Sequence, residues 1–399
     1  MNQTLIPLKY AATITLGKML QNDASSLQDV ELPYVRAASI GQDGKLRYSD
    51  AKTMWFKPNE IEMLSLLKGD VLVVEGGDVG RSIVLSQDEP GWGFQNSINR
   101  VRPFPGNDGR FLQYQIEHLR ACGYLRLICN AVSFHHLTAE KLAAVQIRVP
   151  TSSQQQGIAD YLDIETAKID HLIAKQRELI SLLEERLSAF MEDALVKGIS
   201  HDNASPMEWR RVKHLFKLRD ERNHLEREEV TLLSLYAKHG VRKYDEIEER
   251  TGNPVRTVQD YKCVHAGDII VNIILAWMGS IGRSPHDGVI SPAYDIWTPL
   301  EGVSSRYYHY LFRTKWFSGE CYKRGKGIMM MRWRTYADQF GDIRVPFPTQ
   351  QEQDYLVNLI EREESQVQNL ISKCQRMIDL LQERRSALIT AAVTGQIEV

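Results

Sequence analysis

The stretch VPTSSQQQGIADYLDIETAKIDHLIAKQRELISLLEERLSAFMEDALVKGI, residues 149–199, aligns without a gap on residues 347–397. The offset between the two copies is a constant 198 residues, and the identities include Pro150/Pro348, Gln155/Gln353 and Leu172/Leu370. A period this long excludes a solenoid, whose repeats span about 20–50 residues. The repeat therefore predicts two half-molecules, each a globular module followed by a long helix.

Each copy carries one residue pattern that is typical of a paired helix. Positions recur at alternating steps of four and three, as in the a/d seam of a coiled coil. They are Ile169, Ile173, Gln176, Ile180, Leu183, Leu187, Phe190 and Ala194 in the first copy, and Val367, Ile371, Cys374, Ile378, Leu381, Arg385, Leu388 and Ala392 in the second. Two matched seams in one chain favour an antiparallel pair of helices over two ordinary amphipathic core helices.

Further apolar residues widen the stripe on both helices. They are Leu172, Leu179 and Leu182 in the first copy and Leu370, Met377 and Leu380 in the second. A wide apolar face indicates that each helix touches more than one partner. Pro150 and Pro348, each followed by Thr, predict where the preceding strand stops and the helix starts.

Composition limits the class of protein. The chain has 399 residues and a net charge of −2, with hydrophobic and charged fractions of 43% and 25%, which are ordinary for a globular protein. We find no N-terminal signal peptide and no apolar run of the roughly 18 residues that a membrane span needs. Five cysteines without CxxC spacing predict a reduced, cytoplasmic protein without a zinc site. We expect no metal and no cofactor.

The remaining residues predict an α+β protein with two globular α/β modules. In the first module, residues 32–40 and 69–77 have strand composition, and residues 110–129 predict a helix or helix pair. The second module repeats this plan, with a strand at 267–274 and a helix at 306–317. We therefore divide the chain into a first module (1–148), a central helical spacer (149–199), a second module (200–346) and a C-terminal helical spacer (347–399).

No motif in the chain completes a catalytic or cofactor site. Ser291-Pro292-Ala293-Tyr294 departs from the Asn-Pro-Pro-Tyr loop of adenine methyltransferases, and the Gly319–Gly327 run does not fit a phosphate-binding loop. Asp260-Tyr261-Lys262 lacks the upstream acid of a nuclease site, and His135-His136 lacks further ligands at metal-binding spacing. We predict a chain without catalytic residues.

Basic residues cluster in segments that point to DNA. Residues 322–334, YKRGKGIMMMRWR, carry five bases and no acid, whereas the helical stretch 160–193 carries nine acids against four bases. Such a loop can neutralise phosphates and place Arg on base edges, and amide side chains can read adenine. The candidate DNA-binding residues are Lys323, Arg324, Lys326, Arg332 and Arg334 in the second module, and Arg36, Lys45, Arg47, Lys52, Lys57, Arg81, Gln95, Asn96, Asn99 and Arg100 in the first. The alternative for each segment is a solvated loop.

Several of these features together resemble the specificity subunit of a type I restriction–modification system. They are the paired helix starts IRVPTSSQQQGIADYLD and IRVPFPTQQEQDYL, the run GDVLVVEGGDVGRS, the Gln-Asn…Val-Arg-Pro run at 95–103 and the ending SALITAAVTGQIEV. The second module departs from the first, because its NIILAWMGSIGRS is four residues longer before the Gly-Arg pair.

The resemblance implies that each module reads one half of a split duplex DNA target. It also implies that the helices set the spacing and dock two methyltransferase subunits, and through these the restriction subunits. Methylation and cleavage would then lie in the partners, and no membrane would be involved. Two alternatives stay open: a coiled-coil adaptor that binds only protein, and a methyltransferase or nuclease whose motifs are not recognised.

Overall fold

The computed structural model describes residues 5–41, 44–49, 51–129, 136–198, 207–236, 240–246, 257–327 and 333–398. The chain divides into two compact units. The first unit comprises residues 1–176 with 375–399, and the second comprises residues 177–374. Both boundaries fall inside the long helices, so each unit combines one module with parts of both helices. The four-segment division stays a prediction.

The first module is a set of short strands followed by helices. Its elements are β1 Leu5–Pro7, β2 Ala12–Leu16, β3 Val30–Val35, β4 Lys52–Phe56, α1 Pro58–Met63, β5 Val71–Val74, β6 Ser82–Val84, β7 Gly93–Phe94, β8 Ile98–Pro103, α2 Gly109–Ala121, α3 Tyr124–Ile128, α4 Ala139–Ala144 and β9 Gln146–Arg148, and the long helix α5 Ser152–Val196 follows. The main sheet is antiparallel with the order β2-β8-β5-β6. A second sheet has the order β4-β3-β7, and β1 pairs with β9.

The second module repeats this architecture. Its elements are β10 Trp209–Arg211, β11 Phe216–Arg219, β12 Leu233–Tyr236, β13 Gly240–Lys243, β14 Lys262–Val264, β15 Ile269–Asn272, β16 Ile281–Arg283, β17 Gly288–Ile290, β18 Tyr294–Pro299, α6 Ser305–Leu311, α7 Lys315–Arg324, α8 Ala337–Gly341 and β19 Arg344–Pro346, and the long helix α9 Gln350–Thr394 follows. The main sheet has the order β11-β18-β15-β16, which matches β2-β8-β5-β6, and β10 pairs with β19.

The central strand of each main sheet is buried on both faces. In β5, Val71 and Val73 belong to one apolar core and Leu72 and Val74 to another. In β15 the same alternation divides Ile269 and Val271 from Ile270. A strand between two cores needs an unbroken apolar run, which explains the sequences VLVV and IIVN.

Two details of the second module differ from the sequence prediction. The stretch 306–317 was predicted as one helix, but α6 ends at Leu311 and the Thr314 side chain caps a new helix by accepting the Phe317 N–H at 3.2 Å. The Gly-Arg pair is also not equivalent between modules. In the β5–β6 hairpin of the first module Val73 pairs with Ser82, nine positions later. In the β15–β16 hairpin of the second module Val271 pairs with Ile281, ten positions later. The second hairpin is therefore one residue longer than the first, whereas the spacing of the Gly-Arg pairs suggested four.

Both long helices start with the same arrangement. Thr151 and Thr349 cap the first turns through Gln154 and Glu352, as in a capping box. A buried glutamine follows in each case. The Gln155 amide donates to the Pro150 carbonyl at 2.9 Å and accepts the Asp108 N–H at 3.0 Å. Gln353 does the same with Pro348 at 2.8 Å and the Ser304 N–H at 2.8 Å.

The predicted seam positions are buried or half-buried, and the widening residues are not. Within the first unit, the start of α5 shares an apolar core with the end of α9, and within the second unit the end of α5 shares one with the start of α9. The side chains of Leu172, Leu179, Leu182, Leu370, Met377 and Leu380 are all more than 40% exposed. In the described part of the chain, we find no helix with both the length and the apolar character of a membrane span.

Candidate nucleic-acid interface

The basic loop of the second module, residues 322–334, is closed at its base by two backbone hydrogen bonds. Lys326 N–H donates to the Arg334 carbonyl at 2.8 Å, and Arg334 N–H donates back at 2.9 Å. Arg332 lies outside the described residues. The bridge places the Lys326 side chain at the base of the loop, where it is exposed.

Aromatic rings brace the same loop. The Tyr322 and Trp333 rings stack with centroids 5.1 Å apart, and the Trp333 indole N–H donates to the Tyr322 carbonyl at 3.1 Å. Gly325 permits this approach, because a Cβ there would lie 2.3 Å from the Trp333 Nε1. The loop therefore leaves α7 on a fixed path.

An acid that the sequence reasoning missed engages two of the predicted bases. Lys323 Nζ lies 2.7 Å from a Glu320 carboxylate oxygen, and the Arg324 guanidinium contacts the other oxygen. Burial opposes ionisation of Glu320, but hydrogen bonds from Lys323 and Arg324 still hold the pKa of its carboxyl below the usual range. The signal was the i,i+3 and i,i+4 spacing within one helix.

In the first module, five predicted bases lie at or near the surface. Lys45 lies on a loop that the Ile40–Leu46 bridge closes, Arg47 follows directly after the bridge, and both are exposed. Lys52 in β4 and Lys57 before α1 are also exposed, and Arg36 is half-exposed at the end of β3. This loop and the loop at 322–334 both carry basic side chains, and each is closed by a β-bridge.

Three other predicted residues serve the interior of the first module. The Asn99 amide is fully buried and donates to the Leu137 carbonyl at 2.7 Å. Arg100 donates to the Met63 and Ser65 carbonyls at 3.1 and 2.6 Å and lies over the Phe94 ring. Burial lowers the pKa of Arg100 to about 10, which leaves it charged at neutral pH. Arg81 donates to the Ala37 carbonyl at 2.9 Å.

We therefore leave Asn99, Arg100 and Arg81 out of the interface that we propose. Gln95 and Asn96 remain in it, because their side chains are half-exposed. Their backbone N–H groups join the neighbouring strands by donating to the Val35 and Lys18 carbonyls, each at 2.9 Å. Among the described residues, no three His, Cys, Asp or Glu side chains are grouped as metal ligands.

Comparison with known proteins shows which proteins this chain resembles. Residues 12–181 match the family model described as type I restriction modification DNA specificity domain. The chain is similar to one in the structure described as the basis of complex assembly and conformational transition of the type I R-M system, with a TM-score of 0.72 and 13% identity, over 100% of this chain and 99% of that one. It is also similar to the HsdS subunit from Thermoanaerobacter tengcongensis, with a TM-score of 0.52 and 13% identity, over 99% and 97% of the two chains. A search of curated proteins gave no match. These findings confirm the resemblance and the fold class predicted from the sequence.

Proposed function

We propose that this chain is a specificity subunit of the type I restriction–modification kind, because residues 12–181 match that family model, and that its two modules each read one half of a bipartite duplex DNA target. Specificity subunits are the non-catalytic recognition part of these complexes. Adenine methylation and ATP-dependent cleavage would accordingly reside in methyltransferase and restriction subunits that this chain assembles in the cytoplasm.

The duplication carries the proposal. Both modules contain the same four-stranded sheet order, the same pairing of first and last strands and the same 45-residue helix. Two modules with the same fold fit a DNA target made of two half-sites better than one continuous target. Each module also presents a loop with basic side chains that is closed by a β-bridge, and such loops can bind DNA phosphates and the edges of DNA bases.

The exposed stripe on each helix supports docking of two identical partners. Leu172, Lys175, Leu179, Leu182, Arg186 and Ala189 recur as Leu370, Lys373, Met377, Leu380, Arg384 and Ala387. Their steps of three and four form a second heptad seam beside the buried one. Because the same seam appears twice, we propose that each copy receives one methyltransferase subunit.

Methylation mapping tests the function directly. In a host that expresses this chain with its methyltransferase partner, we expect methylated adenines at one bipartite sequence with a fixed unread gap. Absence of any sequence-specific methylation by a folded, assembled complex would contradict the proposal. Methyl transfer by the chain alone would favour the enzyme alternative, and partner binding without any DNA affinity would favour the adaptor.

The loop at 322–334 is tested by charge removal. Replacing Lys323, Arg324 and Lys326 with Ala should weaken DNA binding, and each lost phosphate contact should lower the salt slope by about 0.9. Glu320→Gln is the matched control, because it removes the acid that pairs with Lys323 and Arg324, and we expect it to leave or raise affinity. An unchanged salt slope in the triple variant would remove this loop from the interface.

A further inference from the structure

A cavity in the second unit is lined mainly by cationic side chains. It has a volume of about 430 Å³ and lies on the β10–β19 strand pair. We call it the basic pocket, and its lining residues are Glu208, Trp209, Arg210, Arg211, His214 and Arg344. None of them was among the candidate DNA-binding residues.

The internal repeat shows that the fold does not need these charges. In the first module the equivalent strand pair is β1–β9, fixed by the Leu8 N–H to Val145 carbonyl bond where the second module has Val212 to Ile343, both at 2.9 Å. Pro7 pairs with Gln146 in β1–β9, and Arg211 pairs with Arg344 at the equivalent position of β10–β19. The neutral pair forms the same two-stranded ladder, so the arginines need another explanation.

Arg211 and Arg344 lie directly opposite each other on antiparallel strands. Like charges in this position destabilise a strand pair. Arg211 has Asp342 at 3.5 Å, but Lys213 already holds that carboxylate at 2.7 Å. Within the described residues, the Arg344 guanidinium has no hydrogen bond or ion pair. An anion between the two arginines would relieve their repulsion.

The other lining residues leave this charge uncompensated. Glu208 is the one acid of the pocket, and it pairs with Arg210 at 2.7 Å. The Arg210 guanidinium also lies over the Phe347 ring at 4.1 Å, which fixes it beside the pocket. Trp209 is 41% exposed and offers an aromatic edge next to the cations.

The basic pocket lies beside the helix that leads into the proposed DNA loop. Trp209 packs edge-to-face on Trp316, in the first turn of α7, with ring centroids 5.6 Å apart. The loop leaves the other end of α7, which is about 15 Å away at 1.5 Å per residue. The hydrogen bond from Lys213, with the charges of Arg211 and Arg324, holds the pKa of the Asp342 carboxyl below its usual range. Lys213, Arg211 and Arg324 thus all act on the one carboxylate of Asp342.

We propose that the basic pocket binds a backbone phosphate of the duplex whose bases the second module reads. The inference rests on the proposed function, and it adds a sequence-independent contact that the first module lacks. Paired guanidinium groups suit a phosphate, because each offers a planar fork of N–H donors. The length of α7, about 15 Å, corresponds to roughly four base pairs, so a duplex lying along this helix can reach both the loop and the pocket.

The test uses the full chain in complex with its methyltransferase partner and a duplex that contains the mapped target. The double variant R211Q/R344Q removes the facing charges, and position 344 then carries the residue found at Gln146 in the equivalent strand. K9Q/K68Q, at two exposed lysines of the first module, makes the same change in net charge. We expect R211Q/R344Q to lower the salt slope by about 0.9 to 1.8 and affinity at 0.15 M salt about fivefold per contact, with the target sequence unchanged.

Phosphate scanning locates the contact. Duplexes with single neutral methylphosphonate linkages should weaken wild-type binding at one or two linkages beside the second half-site, and this penalty should vanish in R211Q/R344Q. R344Q alone, with thermal unfolding as the check on folding, replaces the double variant if that variant does not fold.

Four results would overturn the pocket proposal. The first two are a salt slope of DNA binding in R211Q/R344Q that equals the wild-type slope, and a salt slope that falls by the same amount in K9Q/K68Q. The third is a methylphosphonate linkage that still weakens DNA binding by R211Q/R344Q. The fourth is that R211Q/R344Q loses assembly with its methyltransferase partner while its DNA affinity is unchanged. If the wild-type complex binds all DNA sequences equally, the proposed function fails. The salt slopes of non-specific DNA binding by the wild type and R211Q/R344Q would then still show whether the pocket contacts a phosphate.

Discussion

Individual buried polar side chains join each module to its helix. Gln155 and Gln353 each use both ends of the amide, so one residue type ties the loop before α2 or α6 to the first turn of a long helix. Asp70 and Asp268 are also buried and equivalent, and each meets an arginine, Arg102 at 2.7 Å and Arg219 at 3.2 Å. Because buried polar groups are costly without partners, such residues fix one arrangement of the chain.

His309 should make the second unit sensitive to mild acid. Burial, with the nearby charges of Arg313 and Arg283, lowers the pKa of His309 to about 4. Its Nδ1 lies 3.1 Å from the Arg283 N–H, and its Nε2 lies 3.2 Å from Arg313 Nη1, so both neighbours are donors. The folded pKa lies below the ordinary value of about 6.5, so the unfolded chain binds the extra proton.

Stability should therefore fall as the pH is lowered from about 6.5 to 4, by up to roughly 3 kcal/mol. Urea unfolding at several pH values, followed through the second unit, measures this. His309→Gln should flatten the curve by about one proton in that range. A curve that keeps its full slope in the variant would show that other groups cause the pH dependence.

Arg385 occupies a seam position whose counterpart is Leu187, and it should stabilise the first unit. Its guanidinium contacts the Oε1 of Glu117 and lies 3.1 Å from Asp170, whereas the Oε2 of Glu117 is buried with no hydrogen bond. Arg385→Leu should lower the free energy of unfolding by about 1–3 kcal/mol, because a partly buried carboxylate loses its partner.

Urea denaturation of three variants checks the Arg385 network. Adding Glu117→Gln to Arg385→Leu should restore part of the loss, since the uncompensated charge is then gone. Arg384→Leu, at the exposed neighbouring position, should stay within about 0.5 kcal/mol of the wild type. Equal losses in Arg384→Leu and Arg385→Leu would contradict a specific role for the ion pair.

At the scale of elements, the long helices α5 and α9 dominate. Each has 45 residues and is therefore about 68 Å long. The sequence predicted these helices well because a seam repeated over many turns is a strong periodic signal. It predicted the modules less well. The break between α6 and α7 depends on the single cap at Thr314, and the two Gly-Arg pairs differ in strand register, which local sequence does not encode.

We expect the helix length to set the unread gap between the half-sites. Inserting four residues into the exposed part of one helix adds about 6 Å, which is one to two base pairs along the duplex. It also adds a rotation of about 40° beyond a full turn, which DNA bending can partly absorb. Methylation mapping should then show the same bases separated by a longer gap.

Inserting two residues is the control for the helix-length prediction. It turns the seam away from its partner helix and should unfold or disassemble the protein. If the variant with four inserted residues is active and still recognises half-sites at the original separation, helix length does not set that separation. The helices would then serve only to dock the partner subunits.

At the scale of the whole molecule, two compact units each hold one module. If the modules are independent readers, exchanging residues 1–148 for the same module of a related chain should change one half-site and leave the other intact. The incoming module must still pack on Ile158 and Leu162 of α5 and on Ile389 of α9, which share its core. Methylation mapping of the chimaera is the measurement, and a folded chimaera altered at both half-sites would sink the two-reader proposal.

The candidate site was predicted less completely than the fold. Lys326 and Lys52, which were chosen from charge and loop composition, are exposed, as a contact with DNA requires, and their role stays a prediction. Asn99 and Arg100 were chosen by the same reasoning but are buried, because β8 is buried on both faces and an outward-facing pattern cannot be read there. The basic pocket that we propose could not be found in this way, since Arg211 and Arg344 are 133 positions apart in the sequence and face each other only through strand pairing.

The composition of the first unit has a consequence for how the protein is made. Its core includes Ile389, Ala392 and Val393, which are synthesised long after the other residues of that core, which run from Leu8 to Leu162. The second unit is one continuous segment that ends at residue 374. At 5–20 residues per second, the module made first waits about 10–40 s for the end of α9 after residue 176 has been added. During synthesis the second unit can thus finish folding first, while the first unit keeps apolar surface exposed until Ile389, Ala392 and Val393 have been made.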